Sequence, residues 1–331
     1  MPRSDKRRRL LFLGSDLGGA SWRFRVAQYL PYLRELGIDA DTAELPQPLA
    51  QRVRMLSTAA HYDAVWIHRT LLSAFEHRWL VHAAPRYVFD FDDAIMLRDS
   101  AARRFDSWQR RRRFARMVRG AATVVAGNAY LAAWAHRYGA DVTVIPTAVD
   151  LTAHPAAPAG GKEPIVGWMG TASNLIYLRG IVPALTRLCA RRPQVRVKVV
   201  CDADFAAAGL PVISKRWGLG DEVADLRSLQ VGIMPLPDDA WTRGKCAVKI
   251  LQYFAAGVPV VCAPVGVNRE VVEHGRNGFF ATTEDEWVAR LDELLSDADL
   301  RRRFAAHGRH VVEHRYSLQT VLPQLLSLLV P

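Results

Sequence analysis

The sequence predicts an α/β protein with two domains, each built around a parallel β-sheet. Short runs of β-branched and other apolar residues alternate with helical patterns along the chain, which is typical of βαβ units. The length of 331 residues also exceeds what one ordinary domain needs. A single stretch rich in Ala, Pro and Gly interrupts the alternation. We therefore expect an N-terminal domain over residues 1–150, a linker over 151–163, a C-terminal domain over 164–316 and a last helix over 317–331.

Five apolar runs predict the strands of the N-terminal domain. The first run ends in a glycine-containing loop at residues 14–20, and a helical pattern begins near Trp22 and continues to Gly37. A further helix is predicted from about Asn128. The five runs are Leu10–Leu13, Ala64–Ile67, Tyr87–Phe89, Ala122–Ala126 and Val142–Ile145.

The same alternation restarts in the C-terminal domain. Its strands are predicted at Ile165–Met169, Val195–Val200, Val231–Met234 and Val258–Cys262. Its helices are predicted at about 246–256, 284–296 and 298–306, with a last one from near Ser317. Two such halves joined by one linker predict a cleft, and parallel sheets bind ligands beyond the carboxyl ends of their strands. The loops that follow the strands are therefore the places to look for chemistry.

An excess of basic residues favours acidic partners. Lys and Arg number 44 and Asp and Glu 33, which gives a formal net charge of +11. Nucleic acid, an anionic membrane surface and a phosphorylated substrate are the candidate classes. Because no nucleic-acid-reading motif accompanies the charge, nucleic acid is not expected as a partner.

Targeting and redox signals point to the cytoplasm. The apolar stretch Leu10–Leu13 is too short for the core of a signal peptide, and no run reaches the eighteen apolar residues of a membrane span. The four cysteines are not spaced like a metal site or a disulfide framework. We therefore expect a cytoplasmic protein without a metal, either soluble or peripheral on the inner face of the membrane.

The most informative segment is residues 231–257, where a polar loop connects a strand to a helix predicted over about 246–256. On this helix Lys245, Lys249 and Gln252 are spaced i, i+4 and i+7, so they are expected to share one face. Lysines on an otherwise apolar helix, close to its N-terminal amides, favour an anionic ligand such as a pyrophosphate. The alternative is that both lysines extend to solvent along a partly exposed face.

The loop after the first strand is a second candidate phosphate site. Gly18 and Gly19 allow the backbone to approach a ligand closely, and Arg23 and Arg25 follow directly. The pattern is neither the dinucleotide-binding GxGxxG nor a P-loop, so neither of those functions is supported. A plain tight turn is the alternative interpretation of the glycines.

Polar residues also follow two neighbouring strand ends. His68 directly follows a strand, where it is either a ligand-binding or a structural histidine. Asp90, Asp92 and Asp93 follow the next predicted strand, and alternation predicts Asp90 and Asp92 on one side and Asp93 on the other. These carboxylates are candidates for binding acceptor hydroxyls, for a base or for a helix cap.

A cluster of basic residues marks residues Arg103–Arg119. This range holds eight arginines against one acid, Asp106, with apolar residues interleaved. It resembles a basic amphipathic helix that lies on an anionic membrane surface. The alternative is the solvated outer face of a helix in the N-terminal domain.

These segments together resemble the GT-B glycosyltransferases of the retaining family 4, or group 1, type. The resemblance extends from the loop with Gly18 and Gly19 to the last helix. It is strongest in Asp63–His68, Val144–Asp150, Lys249–Val261, Gly266–Glu270 and Glu273–Phe279. It implies two Rossmann-like domains with parallel sheets facing across a cleft, and a last helix that packs back toward the N-terminal domain. It also implies a metal-independent hexosyltransferase that retains anomeric configuration and uses no cofactor besides its nucleotide-sugar substrate.

The resemblance also implies roles for particular residues. His68 is expected near the transferred sugar, and we assign Lys245 and Lys249 to the catalytic set with it. The expected donor is a UDP- or GDP-sugar; the expected acceptor is a glycan, a lipid-linked molecule or a small molecule in cell-surface polysaccharide or glycoconjugate biosynthesis. The expected donor-binding residues are Gly18, Gly19, Gly170, Thr171, Asn174, Gly244, Cys246, Ala247, Gln252 and Asn268. The expected acceptor or accessory residues are Arg23, Asp90, Asp92, Asp93, Asp238 and Asp239.

The sequence departs from the family pattern at two places. The family usually has two glutamates eight positions apart, where this chain has Gly244 and Gln252, and the usual basic pair is missing from residues 170–177. We infer that Lys245 and Lys249 hold the diphosphate and that Asp238 or Asp239 supplies the missing acid. Because of the lost glutamates, a non-catalytic nucleotide-sugar-binding protein and a sugar-nucleotide epimerase on the same fold remain alternatives.

Overall fold

The computed structural model describes residues 8–155 and 163–329, which form two compact units. Unit 1 consists of the described residues within Met1–Thr147, Arg243–Cys246 and Val321–Pro331. Unit 2 consists of those within Ala148–Thr242 and Ala247–Thr320. The middle of the predicted linker, residues 156–162, lies outside the described residues.

Unit 1 is built on a six-stranded parallel sheet. Its strands are β1 Arg9–Gly14, β2 Asp39–Glu44, β3 Ala64–His68, β4 Tyr87–Phe91, β5 Thr123–Ala126 and β6 Val142–Val144. They lie in the order β2-β1-β3-β4-β5-β6, and every neighbouring pair is parallel. The inner strands β3 and β4 are buried along their whole length, as expected for a parallel sheet covered on both faces.

The helices of unit 1 connect these strands. They are α1 Ala20–Arg25, α2 Leu30–Glu35, α3 Leu49–Ser57, α4 Ala74–Ala83, α5 Trp108–Gly120 and α6 Ala129–His136. Capping residues fix where three of them begin: Ser73 forms a capping box with Glu76 before α4, and the side chains of Ser107 and Asn128 accept from backbone N–H groups at the starts of α5 and α6. The predicted helix from Trp22 to Gly37 is interrupted, because Val26 leaves helical geometry at φ −129°.

Unit 2 contains a second six-stranded parallel sheet. Its strands are β7 Ile165–Met169, β8 Arg196–Cys201, β9 Val212–Arg216, β10 Val231–Met234, β11 Val260–Cys262 and β12 Gly278–Phe280. They lie in the order β12-β11-β10-β7-β8-β9 with parallel pairing throughout.

The helices of unit 2 follow and connect these strands. They are α7 Leu175–Arg179, α8 Val182–Arg191, α9 Glu222–Arg227, α10 Val248–Ala255, α11 Asn268–Val271, α12 Glu284–Ser296 and α13 Ala298–Val311, followed by α14 Leu318–Leu329, whose last turns belong to unit 1. Leu185 and Leu188 of α8 and Leu291 and Leu294 of α12 are fully buried, and they pack with apolar residues of β8 and β10 in one core cluster. This cluster joins the helices to the sheet by removing apolar surface from water.

The two parallel sheets confirm the predicted α/β fold class. The apolar runs in the sequence do not predict β2, β9 and β12, and all three are edge strands. β2 reads DADTAE and β9 reads VISKR, and most of their side chains are not buried. An edge strand needs fewer apolar residues than an inner one, so it gives a weaker signal in the sequence.

The segment around Lys245 differs from the sequence-based expectation. The helix expected from about 246 begins at Val248, because Ala247 has a left-handed backbone with φ 54°. A short 3₁₀ turn, Thr242–Gly244, precedes it. The prediction that Lys245 shares a helical face with Lys249 and Gln252 is therefore wrong, since Lys245 lies before the helix and belongs to unit 1.

Candidate active site

A buried ionic network lies at the carboxyl ends of β3 and β4 in unit 1. His68 is the last residue of β3, and its Nδ1 lies 2.7 Å from Oδ2 of Asp90, on β4. Arg25, at the end of α1, pairs with the same carboxylate and also donates to the carbonyl oxygen of Ile145 at 2.6 Å. Exposed fractions of 4% for Arg25, 3% for His68 and 0% for Asp90 show that the network is shielded from solvent.

The charges in this network stabilise one another. Burial alone raises the pKa of Asp90, but the positive charge of Arg25 and the contacts with His68 outweigh it and lower that pKa to about 2. Burial likewise lowers the pKa of Arg25, but the charge of Asp90 and its hydrogen bond more than reverse this effect and raise it. Asp90 is therefore ionised, and Arg25 is its buried counterion.

Ser21 connects His68 to a second carboxylate. The Ser21 hydroxyl, on α1, donates to Oδ1 of Asp92 at 2.6 Å and lies 2.8 Å from Nε2 of His68. Burial raises the pKa of Asp92, but the charges of Arg69, His68 and Arg25 reverse this effect and lower it. The two aspartates on either side of the His68 ring are thus both held in the ionised form.

Arg69 and Lys245 extend the cluster toward its less buried side. Arg69 has a left-handed backbone with φ 52°, and its guanidinium lies 2.9 Å from Asp93 and 3.6 Å from Asp92. Lys245 Nζ lies 3.9 Å from Asp93. The expectation that Asp93 points away from Asp92 is wrong: β4 ends at Phe91, so strand alternation does not extend to these residues.

The segment Arg243–Cys246 is held against this cluster by specific contacts. The side-chain amide of Asn128 donates to the carbonyl oxygens of Gly244 at 3.0 Å and Lys245 at 3.4 Å. The Cys246 thiol donates to the carbonyl oxygen of Asp92 at 3.3 Å, and burial raises the pKa of that thiol. A Cβ at Gly244 would lie 2.9 Å from the backbone nitrogen of Ala94, so this position has no room for a larger side chain.

The glycine loop before α1 is shaped by close packing of its own residues. Gly19 is the N-cap of α1, and a Cβ there would collide with the carboxylate of Asp16. Gly18 is exposed, and a Cβ there would meet only Asp16 at 3.8 Å. The Arg23 guanidinium lies over the ring of Phe24 at 4.4 Å.

In unit 2, α10 carries two of the predicted residues. Gln252 is 2% exposed, and its Nε2 atom has no hydrogen-bond partner among the described residues. Lys249 lies close to the start of the helix and is half-buried, and no side chain caps that N-terminus. A buried amide donor without a partner is costly, so a hydrogen-bond acceptor from a ligand would stabilise this position.

The remaining predicted residues of unit 2 lie in three loops. Thr171 and Asn174 are joined by a 2.8 Å side-chain hydrogen bond in the loop after β7, which begins at Gly170. Asn268 is 1% exposed and donates to the carbonyl oxygen of Ala263 at 2.9 Å, which closes a turn after β11.

The two aspartates considered as substitute acids lie in the loop after β10. Oδ1 of Asp239 accepts from the backbone N–H groups of Trp241 at 2.9 Å and Thr242 at 2.8 Å, so its carboxylate organises the turn. Asp238 is exposed. Asp92 and Asp93 of unit 1 also contact the segment Arg243–Cys246, through Cys246 and Lys245; the role of Asp238 or Asp239 as the substitute acid stays a prediction.

The arginine-rich range Arg103–Arg119 lies largely on α5. The apolar residues Phe114, Met117 and Val118 of this helix are buried in unit 1, so they are not available to enter a membrane. Arg103, Arg104 and Arg112 are exposed, and Trp108 is 65% exposed. Within residues 8–155 and 163–329, no helix combines the length and the apolar character needed to cross a bilayer.

Several residues of the site are missing from the sequence-based prediction. Ser21, Arg69 and Asn128 complete the cluster, and Arg25 enters the prediction only as a neighbour of the glycine loop. Asn128 had a usable signal, since an Asn between a strand and a helical pattern indicates an N-cap. The partners of Ser21 and Arg25 depend on tertiary packing and leave no local signal.

Comparison with known proteins finds a family model that matches part of unit 2. Residues 242–311 match the family model described as glycosyl transferases group 1. A D-inositol 3-phosphate glycosyltransferase from Thermobispora bispora is 26% identical over 204 residues, which cover 52% of this chain and 46% of that protein. The chain spans less than half the length of the curated relatives it matches.

Two solved structures share the fold over almost the whole chain. HepE from Anabaena, determined in complex with UDP and glucose, has a TM-score of 0.72 and 17% identity, and the match covers 97% of this chain and 98% of that one. Sucrose-phosphate synthase from Thermosynechococcus elongatus has a TM-score of 0.74 and 14% identity, with 98% of each chain covered. These matches confirm the predicted fold of two Rossmann-like domains.

Proposed function

We propose, from the premise that the chain is a group 1 glycosyltransferase, that it transfers a sugar from a nucleoside-diphosphate sugar to a glycan, lipid-linked or small-molecule acceptor. The observation that carries this proposal is the family match over residues 242–311, because that range includes α10 with Lys249 and Gln252. The HepE complex with UDP and glucose supports a UDP-sugar as the donor. We place the reaction in cell-surface polysaccharide or glycoconjugate biosynthesis, on the cytoplasmic side of the membrane. The cytoplasmic location agrees with the four cysteines, which are buried and form no disulfide bond.

The donor is held by residues of unit 2 in this proposal. Lys249 and the uncapped N-terminus of α10 offer positive charge to the diphosphate. The unpartnered Nε2 of Gln252 donates to a hydroxyl of the ribose. Thr171 and Asn174, in the loop after β7, contribute further polar contacts to the donor.

The main electrostatic problem of the reaction is the negative charge that develops on the departing diphosphate. We propose that Lys249 stabilises it without a metal ion, because preorganised positive charge is most effective where water is excluded. In unit 1 we assign His68 and Lys245 to the catalytic set. A phosphate oxygen of the donor accepts the proton of the acceptor hydroxyl on the same face of the sugar, so configuration is retained and no protein nucleophile is required.

Calorimetric titration tests the donor site. We expect UDP to bind the wild-type chain, in preference to GDP, TDP and ADP, and the affinity to survive a chelator. Lys249→Ala should remove binding, because the charge facing the diphosphate is lost. Lys215→Ala is the matched control: this lysine is also in unit 2, but it lies on the edge strand β9 and not on α10, and its partners are Asp221 and Asp225. Unchanged UDP affinity in Lys249→Ala would contradict the proposed site.

Retention is tested by the product of slow donor hydrolysis. Proton NMR of UDP-glucose incubated with the protein should show α-glucose first, before it equilibrates with the β form. If β-glucose appears first, the reaction inverts configuration and the proposed same-face mechanism is wrong.

We also propose that the arginines of Arg103–Arg119 bring the protein to anionic membranes by charge alone. Exposed Arg103, Arg104 and Arg112 support this, since each basic residue near an anionic surface contributes about 1 kcal/mol. Replacing these three by Gln should abolish co-sedimentation with vesicles containing phosphatidylserine at low salt. Replacing Arg302 and Arg303 of α13 by Gln is the control. If both variants lose the same amount of co-sedimentation, binding does not depend on the surface that carries Arg103, Arg104 and Arg112.

A second candidate is a protein that binds the nucleotide sugar without turning it over. The observation that favours it is the packing at Gly244, which leaves no space for the acid the family usually has there. UDP binding without any hydrolysis or transfer, at enzyme concentrations comparable to the substrate, would support this candidate over the enzyme.

A further inference from the structure

A pair of exposed histidines lies at the end of α13 in unit 2. His310 is in the last turn of α13, and His314 follows four residues later in a short π-helix, Val312–Tyr316. Residues spaced i and i+4 lie on the same side of a helix, about one turn apart. The two imidazole rings accordingly lie beside each other, with 3.9 Å between their centroids and 38° between their planes.

One hydrogen bond fixes the orientation of the His314 ring. Its Nδ1 lies 2.9 Å from the carbonyl oxygen of His310. A carbonyl oxygen only accepts hydrogen bonds, so Nδ1 is the donor and Nε2 is the nitrogen left to bind an external partner. Metal-binding histidines typically donate their other ring N–H to a backbone carbonyl or a carboxylate in this way. Among the described residues, the ring nitrogens of His310 take part in no hydrogen bond or ion pair.

The separation of the two rings suits a single bound metal ion. Imidazole nitrogens bind Zn²⁺ at about 2.0–2.1 Å, so two rings bound at right angles have centroids about 4.5 Å apart. A small rotation of the side chains is enough to reach this value from the observed 3.9 Å. Because both side chains are exposed, an ion reaches them from solvent without a change in the fold.

The surroundings of the pair also favour a cation. The carboxyl end of a helix carries partial negative charge, and both histidines lie at that end of α13. The two nearest arginines have partners of their own. Arg309 pairs with Glu313 at 2.7 Å and donates to backbone carbonyl oxygens, and Arg315 lies over the ring of Tyr316 at 5.2 Å.

We propose that His310 and His314 form a binding site for a divalent transition-metal ion, with Cu²⁺ bound most tightly. Imidazole nitrogen is a preferred ligand of Cu²⁺, Ni²⁺ and Zn²⁺, and Cu²⁺ has the highest affinity of the three. No group of three or more His, Cys, Asp or Glu side chains in the described part of the chain could hold an ion, so water completes the coordination. The bound ion ties the π-helix to the last turn of α13.

This site is independent of the proposed reaction. Neither histidine is among the residues proposed to bind the donor or to catalyse transfer, so UDP affinity and metal affinity are separate measurements. The expectation of a protein without a metal was based on the spacing of the cysteines, which does not address these two histidines.

Electron paramagnetic resonance of Cu²⁺ bound to the full-length protein tests the site. The ion is added at neutral pH and below the protein concentration, so that the tightest site fills first. We expect one signal with hyperfine splitting from two imidazole nitrogens. His310→Asn and His314→Asn should each lower the affinity about 100-fold, because the remaining imidazole binds without a second nitrogen held beside it.

His136→Asn is the matched control. His136, at the end of α6, is also exposed, and its Nδ1 also donates to a backbone carbonyl oxygen, that of Ala140 at 3.2 Å. This variant should keep the wild-type affinity and signal. A wild-type affinity no higher than that of His310→Asn or His314→Asn, a signal from one nitrogen, or an equal loss in His136→Asn overturns the proposal.

Hydrogen exchange tests the effect of the ion on the helix. Adding Ni²⁺ should slow amide exchange in residues 310–316 of the wild type and leave it unchanged in His310→Asn and His314→Asn. Equal exchange in the wild type with and without Ni²⁺ would contradict the bridge between the two turns.

Discussion

Replacing Asp90 by Asn is expected to destabilise unit 1 strongly at neutral pH. The Asp90 carboxylate is 0% exposed and pairs with both Arg25 and His68. The substitution keeps the size of the side chain but removes its charge, so the Arg25 guanidinium, with a side chain 3% exposed, loses its counterion. Breaking a buried ion pair from one side costs about 3–5 kcal/mol.

The lowered pKa of Asp90 gives a second value for the stability that the Asp90 ion pair contributes. Its fall from 3.8 to about 2 in the folded protein corresponds to roughly 2 kcal/mol of stability at neutral pH. Because the folded pKa is lowered, this contribution is complete above the unfolded pKa. It is lost as the pH falls from about 4 toward 2, and Asp90→Asn should lack this acid dependence. The expected loss of stability at pH 7 is therefore about 2–5 kcal/mol.

Urea unfolding followed by hydrogen exchange in peptides from β3 and β4 measures this loss within unit 1. With an m-value of about 2 kcal/mol/M, the midpoint should fall by about 1–2.5 M. Asp41→Asn is the matched control, since its pair with Arg9 is about half exposed on both sides and contributes less than about 1 kcal/mol. A loss in Asp90→Asn no larger than that of the control would refute the reasoning.

Two further predictions concern packing and capping. Asn128→Ala removes both the N-cap of α6 and the hydrogen bonds to Gly244 and Lys245, so we expect a loss of about 2–3 kcal/mol and faster amide exchange in residues 243–246. Ser107→Ala, which removes only the cap of α5, should cost about 1 kcal/mol and leave that exchange unchanged. Gly308→Ala would stabilise an ordinary helix by about 1 kcal/mol, but here the new Cβ would lie about 2.5 Å from the Phe254 ring. We therefore expect a lower thermal midpoint for unit 2, and an increase measured by calorimetry would contradict the packing described for α13.

The inner part of each sheet could be predicted from the sequence because buried parallel strands need continuous apolar residues. β3 and β4 are examples, and their ends led directly to His68 and the three aspartates. The edge strands β2 and β9 and the Arg243–Cys246 segment could not be predicted, because solvent exposure and tertiary contacts, rather than local pattern, determine them. The left-handed conformation of Ala247 is a similar case, since alanine rarely adopts it without support from its surroundings.

The recruitment of residues 243–246 into unit 1 has a consequence for how the protein is made. During synthesis, the part of unit 1 up to Thr147 leaves the ribosome first, and Gly244 and Lys245, the partners of the Asn128 side chain, follow only after 96 more residues, from 147 to 243. At about 5–20 residues per second this interval lasts roughly 5–20 s. During that time the nascent first unit lacks the partners of the Asn128 side chain. Residues Ala148–Thr242 of unit 2 therefore have to be synthesised before unit 1 can reach its final structure.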